Sequence, residues 1–258
     1  MSIIEFKEIP IFKRKRLPCS LTVVDVGARN GVLCGLPELR PWKRDIDVIA
    51  IELDDKDFEE LRHSETGWKS IRFLDTPLAE REGAVTLHVV PSHKGLSSLY
   101  KVNKEAWRRF AFYRKKLNLD EVVEHKLQAT TLDTVCTEAD ILKIDTQGSE
   151  LDILKGGVNL LKTVSVINIE TEYQPLYFNQ PLFEDIVKWL CDFELVHVNP
   201  VFRESKEGIE PVYAQCFFVR KCIALQKAEA LRLVYPWINH KTIADRTVYS
   251  LWRFRFTS

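Results

Sequence analysis

Four stretches rich in Val, Ile and Leu punctuate the chain: LTVVDV (21–26), IDVIAIE (46–52), ADILKID (139–145) and VSVINIE (164–170). Their apolar residues run with little alternation, the pattern of strands covered on both faces in a parallel sheet. Between and after them, DDKDFEELRHSE (54–65), SELDILKGGVNLLK (149–162) and PLFEDIVKWLCD (181–192) carry helical spacing. Ser149 is expected to cap the second of these helices, with Asp152 at its third position, and Gly156–Gly157 to end it. WKSIRFL (68–74) adds a short third strand, and AVTLHVV (84–90) alternates as an antiparallel or edge strand does, after the turn residues EREG. FELVHVN (193–199) and VYAQCFFVR (212–220) complete the series. The order β-α-β-α with a final hairpin predicts an α/β fold: a doubly wound, mostly parallel sheet with an antiparallel strand at its C-terminal side.

Each of the four main runs ends in or near an acid: Asp25, Glu52, Asp145 and Glu170. In an open parallel sheet the ligand lies beyond the carboxyl ends of the strands. Four carboxylates there describe a polar cleft suited to reading hydroxyl groups.

Composition narrows the class. The 258 residues suffice for one large α/β domain or two small ones. Lys plus Arg and Asp plus Glu both number 37, so the formal net charge is zero. That balance argues against a sequence-blind nucleic-acid binder, which needs a basic footprint. No apolar run approaches the ~18 residues of a membrane span, and the first twenty residues lack a secretory signal's apolar core. Six scattered cysteines without a CxxC read as reduced thiols in a cytoplasmic protein. The six histidines show no metal-binding spacing, and no metal is expected.

The turn after the first run, VVDVGARNG, holds Gly27 and Gly31 ahead of a helix-like stretch. Such a turn needs residues that tolerate positive φ or let the backbone approach a ligand. Glu52 follows Gly31 by about 20 residues, the offset at which a dinucleotide-type fold places a ribose-binding acid. An adenosine-containing cofactor follows. The nicotinamide pattern GxGxxG fails because Arg29 stands where its middle glycine would be. DxGxxxG instead brings Asp25 to the turn, where it would repel a pyrophosphate and suit the sulfonium and amino group of S-adenosylmethionine. The expected cofactor contacts are Asp25, Gly27, Ala28, Arg29, Asn30, Gly31, Glu52 and Leu53; a plain β-α turn with a capping aspartate is the structural alternative.

VVDVGARNG, AIELDD, LAEREGAVTLHVV, GLSSLY, ATTLDTV, ILKIDTQGSELDILKGG and YQPLYFNQPLFEDIVKWL occur in the order found in FkbM-type methyltransferases, and the chain resembles that family over roughly residues 20–221. The resemblance implies a class I (Rossmann-like) fold and an S-adenosylmethionine-dependent O-methyltransferase. It also implies a hydroxyl acceptor on a sugar or surface-glycan precursor, or on a polyketide or other small metabolite. A binding module that kept the fold and lost turnover is the non-enzymatic alternative. Many members carry Glu where Gln147 stands, so position 147 is expected to contact substrate and not to serve as the base. Class I enzymes meet the adenine after the third strand, which adds Asp75 and Ala79 to the cofactor contacts. The organisation expected is an N-terminal extension (1–19), a methyltransferase domain (20–222) with an insertion at 95–118, and a helical tail (223–258).

An alcohol becomes a good nucleophile when a base within hydrogen-bond reach draws off its proton, typically by ~10²–10⁴-fold. Asp145, ending a central strand, is the first choice; Glu170 and Glu172 are second and should point the same way. Each could instead be a capping or ion-paired carboxylate. Lys143, two before Asp145, is expected to pair with a strand-end carboxylate. In the insertion, Lys101, Lys104, Arg108, Arg109, Arg114, Lys115 and Lys116 interleave with Trp107, Phe110, Phe112 and Tyr113. This reads as an amphipathic helix or, more sharply, as a lid for an anionic glycan in which Arg108 and Arg109 bind substrate, with Ser97 and Ser98 at its entrance. NPVF (199–202) reads as a turn, and His88, His93 and His125 as surface or core residues. KRKR (13–16) reads as solvated, with peripheral contact to an anionic membrane as the minority reading. The aromatic tail is expected to dock on the domain or on a second subunit of a homodimer.

Overall fold

The computed structural model describes residues 16–29, 31–53, 55–116, 118–223, 225–236 and 238. Seven strands form one sheet: β1 (Leu21–Val26), β2 (Ile46–Ile51), β3 (Ser70–Leu74), β6 (Ile141–Ile144), β7 (Val166–Glu172), β8 (Phe193–Glu204) and β9 (Ile209–Arg220), in the order β3-β2-β1-β6-β7-β9-β8. The first five are parallel, whereas β9 runs antiparallel to β7 and to β8. β4 (Gly83–Val89) and β5 (Val123–Ala129) form a separate antiparallel pair. The helices are α1 (Asp55–Ser64), α2 (Lys104–Arg109), α3 (Ala111–Lys116), α4 (Leu132–Val135), α5 (Glu150–Lys155), α6 (Phe183–Trp189) and α7 (Leu225–Val234).

The uninterrupted apolar runs are buried on both faces, as their pattern predicts. On one face Val23, Ile141, Val166 and Val219 join Ala228, Leu231 and Tyr235 around α7. On the other, Val24, Leu142 and Ile167 pack with Leu151 and Leu154 of α5 and Ile186 of α6. A third core, built on Trp107, Phe110, Tyr113, Leu176 and Tyr177, belongs to the accessory lobe made of the β4–β5 pair, α2 and α3.

Four local expectations are corrected. The helix-like stretch after the glycine turn is a 3-10 segment, Pro37–Asp45, in which Pro37 and Pro41 remove backbone donors. The helix expected over 149–162 stops at Lys155, and Leu160–Lys162 is a separate 3-10 turn. Gly156 stands at that stop because a Cβ there would lie 2.3 Å from the Ala79 carbonyl oxygen, so close packing and not a left-handed cap selects glycine. NPVF is no turn: it lies inside β8, whose pairing with β9 shifts register between Val201 and Phe202 and so accommodates the segment. Of KRKR, only Arg16 lies among the described residues; it pairs with Asp45, and Leu17 behind it is buried. The described part of the tail docks on the domain through α7; residues 239–258 lie outside the described residues.

Candidate active site

Strand register sets the side chains of the site in rows on one face of the sheet. Asp25 stands beside Lys143 and Lys143 beside Asn168. One row nearer the strand tips, Glu170 stands beside Gln215, and beyond it Glu172 stands beside Tyr213. Alternate residues of a strand share a face, so Glu170 and Glu172 point the same way as expected.

Asp25 is fully buried. Its Oδ1 accepts from Lys143 Nζ at 2.9 Å and its Oδ2 from the Leu33 backbone N–H at 2.6 Å. Lys143, 3 % exposed, also donates to the Gly27 carbonyl at 3.0 Å. Burial pushes the Lys143 pKa down, but Asp25 and Asp145 outweigh it and hold the ammonium above its ordinary value. The expectation of an Asp25 carboxylate facing a cationic ligand is therefore corrected. Its charge is met from within by Lys143, and the pair pins the turn. Gly27 is required twice over: its φ is +78°, and a Cβ would meet the Asp145 carbonyl oxygen at 2.0 Å. Asp145 N in turn donates to Val26 O at 3.0 Å, which locks the tips of β1 and β6 together.

Beyond those tips lies a cleft of about 390 Å³, within the range that holds small molecules. Gly27, Arg29, Glu52, Leu53, Ser97, Ser98, Asp145 and Gln147 all line it, as does Lys143. Glu52 ends β2, and its Oε1 accepts from Leu53 N at 2.9 Å, which orients the carboxylate. Asp25, Ala28 and Gly31 shape the wall from behind, and Asn30 lies outside the described residues. Asp75 and Ala79 are displaced from the lining by the residues between them, Thr76, Pro77 and Leu78, because Ala79 turns away to bond Thr130. Cys34, His93 and Lys94 also line the cleft and were not anticipated. For His93 and Lys94 the signal was present: PSHKG breaks a strand just before GLSSLY.

The floor toward β7 is acidic and densely bonded. The Gln147 amide donates to Glu170 Oε1 at 2.7 Å and to Asp145 Oδ1 at 3.2 Å. Glu150 accepts from the backbone N–H groups of Thr146 and Gly148 at 2.9 and 3.1 Å, which folds the DTQGSE loop. Burial pushes the Glu150 carboxyl up to about 7 despite those donors. Glu170 is raised well above its ordinary value by burial, then by Asp145 and Glu150. Glu172, also raised by burial and by Glu150 and Glu170, is 2 % exposed, and its Oε1 has no hydrogen-bond partner. Neither Glu170 nor Glu172 lines the cleft; they lie behind Asp145 and Gln147. Ser98 is turned inward and donates to the Gln147 carbonyl at 2.7 Å, so it shapes the loop.

The lid expectation is corrected. Trp107, Phe110 and Tyr113 are interior residues of the accessory lobe, with Trp107 and Tyr113 edge to face at 4.6 Å. Arg108 pairs with Asp120 at 2.7 Å, and Arg109 with Glu210. Neither arginine lines the cleft, because helical spacing that buries three aromatics turns them away from it. The lobe meets the cleft through Leu87, Val89 and the turn carrying His93 to Leu99.

A strand order that reverses at β1, glycine-tight contact there and an acid at the tip of β2 define a Rossmann-like fold. The chain belongs to the FkbM methyltransferase family: the family model described as a methyltransferase FkbM domain matches residues 25–195. It is an S-adenosylmethionine-dependent methyltransferase. No curated protein is similar enough in sequence to match it. Among solved structures it is similar to the magnesium protoporphyrin IX methyltransferase of Synechocystis with bound S-adenosylmethionine (11 % identity, 79 % of this chain and 71 % of that chain, TM-score 0.41). It is also similar to the precorrin-6y C5,15-methyltransferase of Geobacter metallireducens (10 % identity, 80 % and 83 %, TM-score 0.38). Among the described residues no helix is long and apolar enough to cross a membrane, and no group of His, Cys, Asp and Glu could hold a metal ion.

Proposed function

We propose that the chain transfers a methyl group to a hydroxyl oxygen, on a sugar or glycan precursor. One observation carries the choice of oxygen: Asp145 lies on the cleft floor at the tip of β6, against the glycine turn, with carboxyl groups and no cation beyond it on β7. NPVF, which resembles the NPPF-type signature of amino-group methyltransferases, runs inside β8 and takes no part in that tip.

When bound, S-adenosylmethionine would supply a sulfonium methyl group for in-line transfer to an acceptor oxygen, with neutral S-adenosylhomocysteine as the leaving group. The residues present fit such a cofactor. Gly27 lets the β1 turn close against the tip of β6 while lining the cleft, Glu52 ends β2 where ribose hydroxyls would be met, and Thr76–Leu78 form the wall after β3. Asp145 would take the acceptor's proton as the oxygen attacks, and the walls hold the acceptor against it. The polar floor and the family's habit of methylating sugar hydroxyls support the glycan acceptor.

Calorimetric titration with S-adenosylmethionine, S-adenosylhomocysteine and NAD⁺ tests the cofactor half. Binding of both adenosyl ligands, abolished in Glu52→Ala, is expected; binding of NAD⁺ alone would sink the reading. Screening hydroxylated sugars for a gain of one methyl by mass spectrometry tests the acceptor half. Asp145→Asn is expected to lower turnover by ~10²–10⁴-fold.

A further inference from the structure

We propose that Gln147 is a positioning residue which sets the carboxyl groups of Asp145 and Glu170 as one unit for receiving the acceptor's proton. The inference rests on the hydroxyl-methylation reading. The amide has two hydrogens, and each reaches a different carboxyl, at 3.2 Å on Asp145 and 2.7 Å on Glu170. Its Oε1 accepts from the Tyr177 hydroxyl at 3.2 Å, and its backbone oxygen from Ser98 Oγ at 2.7 Å. In this orientation each amide hydrogen meets a carboxyl oxygen and the amide oxygen meets the Tyr177 hydroxyl. The backbone at Gln147 holds φ +61°, a left-handed conformation that L residues with a long side chain seldom adopt, and the four contacts hold it there.

A neutral donor between two acids lowers their mutual repulsion without adding a charge. Lys143, the nearest cation on the neighbouring strand, is committed to Asp25. The groups facing Glu170 are Asp145 and Lys143 on β6, Glu150 on α5, Glu172 on its own strand, Tyr113 on α3, Tyr177 in the loop after β7, and Tyr213 on β9. Removing the amide leaves the two acids facing each other with a tyrosine hydroxyl behind.

Calorimetry from pH 5.5 to 8.5 tests this without an acceptor. S-Adenosylmethionine carries a cationic sulfur and S-adenosylhomocysteine a neutral one, so the ratio of their affinities reports negative charge at the floor. In the wild type the ratio should rise about tenfold across the range as the buried acids behind the floor, Glu150 and Glu170, lose their protons. Gln147→Met should move the midpoint of that rise upward by about one pH unit. An unmoved midpoint with both ligands bound as in the wild type would overturn the proposal. Where Gln147→Met melts early, Gln147→Glu replaces it. At pH 5.5 it should match the wild-type ratio and at pH 8.5 exceed it by a further several-fold, and an unchanged ratio at pH 8.5 overturns the proposal. A wild type that binds neither ligand defeats the methyltransferase reading itself.

Discussion

Three acids on one sheet face are neutralised in two different ways. At the tip of β1, Asp25 is met by Lys143 on the neighbouring strand and by a backbone N–H. Two strands away, Glu170 and Glu172 have no such cation, and burial keeps their protons on above the ordinary carboxylate range. The same residue chemistry thus gives a rigid ionic pin at the tip of β1 and a proton-holding cluster on β7. The register decides which, through what stands beside each acid.

The sharpest way to break the contrast is Lys143→Met. It strands Asp25 as a buried, unpaired charge, and the expected loss is ~3–5 kcal/mol in chemical denaturation. Adding Asp25→Asn removes that charge and should recover most of the loss, whereas a single variant as stable as the wild type would deny the pin. The second test uses pH. A folded pKa of about 7 for Glu150, above its unfolded value of ~4.5, means that the folded chain binds the proton more tightly. That stability is complete below the unfolded pKa and is lost as pH rises through the folded one. Raising the pH from 5 to 8 should therefore lower unfolding free energy by on the order of 2–3 kcal/mol, and Glu150→Gln should remove part of the slope.

A smaller effect is expected from Glu172→Gln, which should stabilise the protein at pH 8 and leave it unchanged at pH 5, as read by thermal melts. Smallest of all is Arg108→Ala. Its exposed pair with Asp120 should shift the melting temperature by less than about 1 °C and leave adenosylhomocysteine affinity intact. A raised KM for the acceptor, with adenosylhomocysteine affinity unchanged, would restore the lid.

Legibility in the sequence followed range. Strands covered on both faces announce themselves by runs of β-branched residues, and of the four acids at their ends Glu52 and Asp145 line the cleft, whereas Asp25 and Glu170 lie behind it. The pairing of Lys143 with a strand-end carboxylate was readable from strand alternation. The Gln147 network was not, because Tyr177 reaches it from 30 residues downstream and Ser98 from 49 upstream. The insertion misled for a different reason. A helix that buries aromatics on one side and solvates arginines on the other has the composition of a sugar-binding lid, and only three-dimensional packing separates the two.

The long hairpin carries a mechanical implication. β8 and β9 each run 12 residues, while β7 pairs only with Tyr213–Val219 of β9, so the hairpin's far end overhangs the sheet. That overhang grips the accessory lobe: Arg203 lies 4.8 Å over Phe112, Arg109 pairs with Glu210, and Gln174 donates to the Pro211 carbonyl at 3.1 Å. The hairpin is thus a cantilever whose free end bears on α2 and α3 of the accessory lobe. Trimming matched residue pairs from its tip would loosen that lobe while the anchored sheet stayed whole.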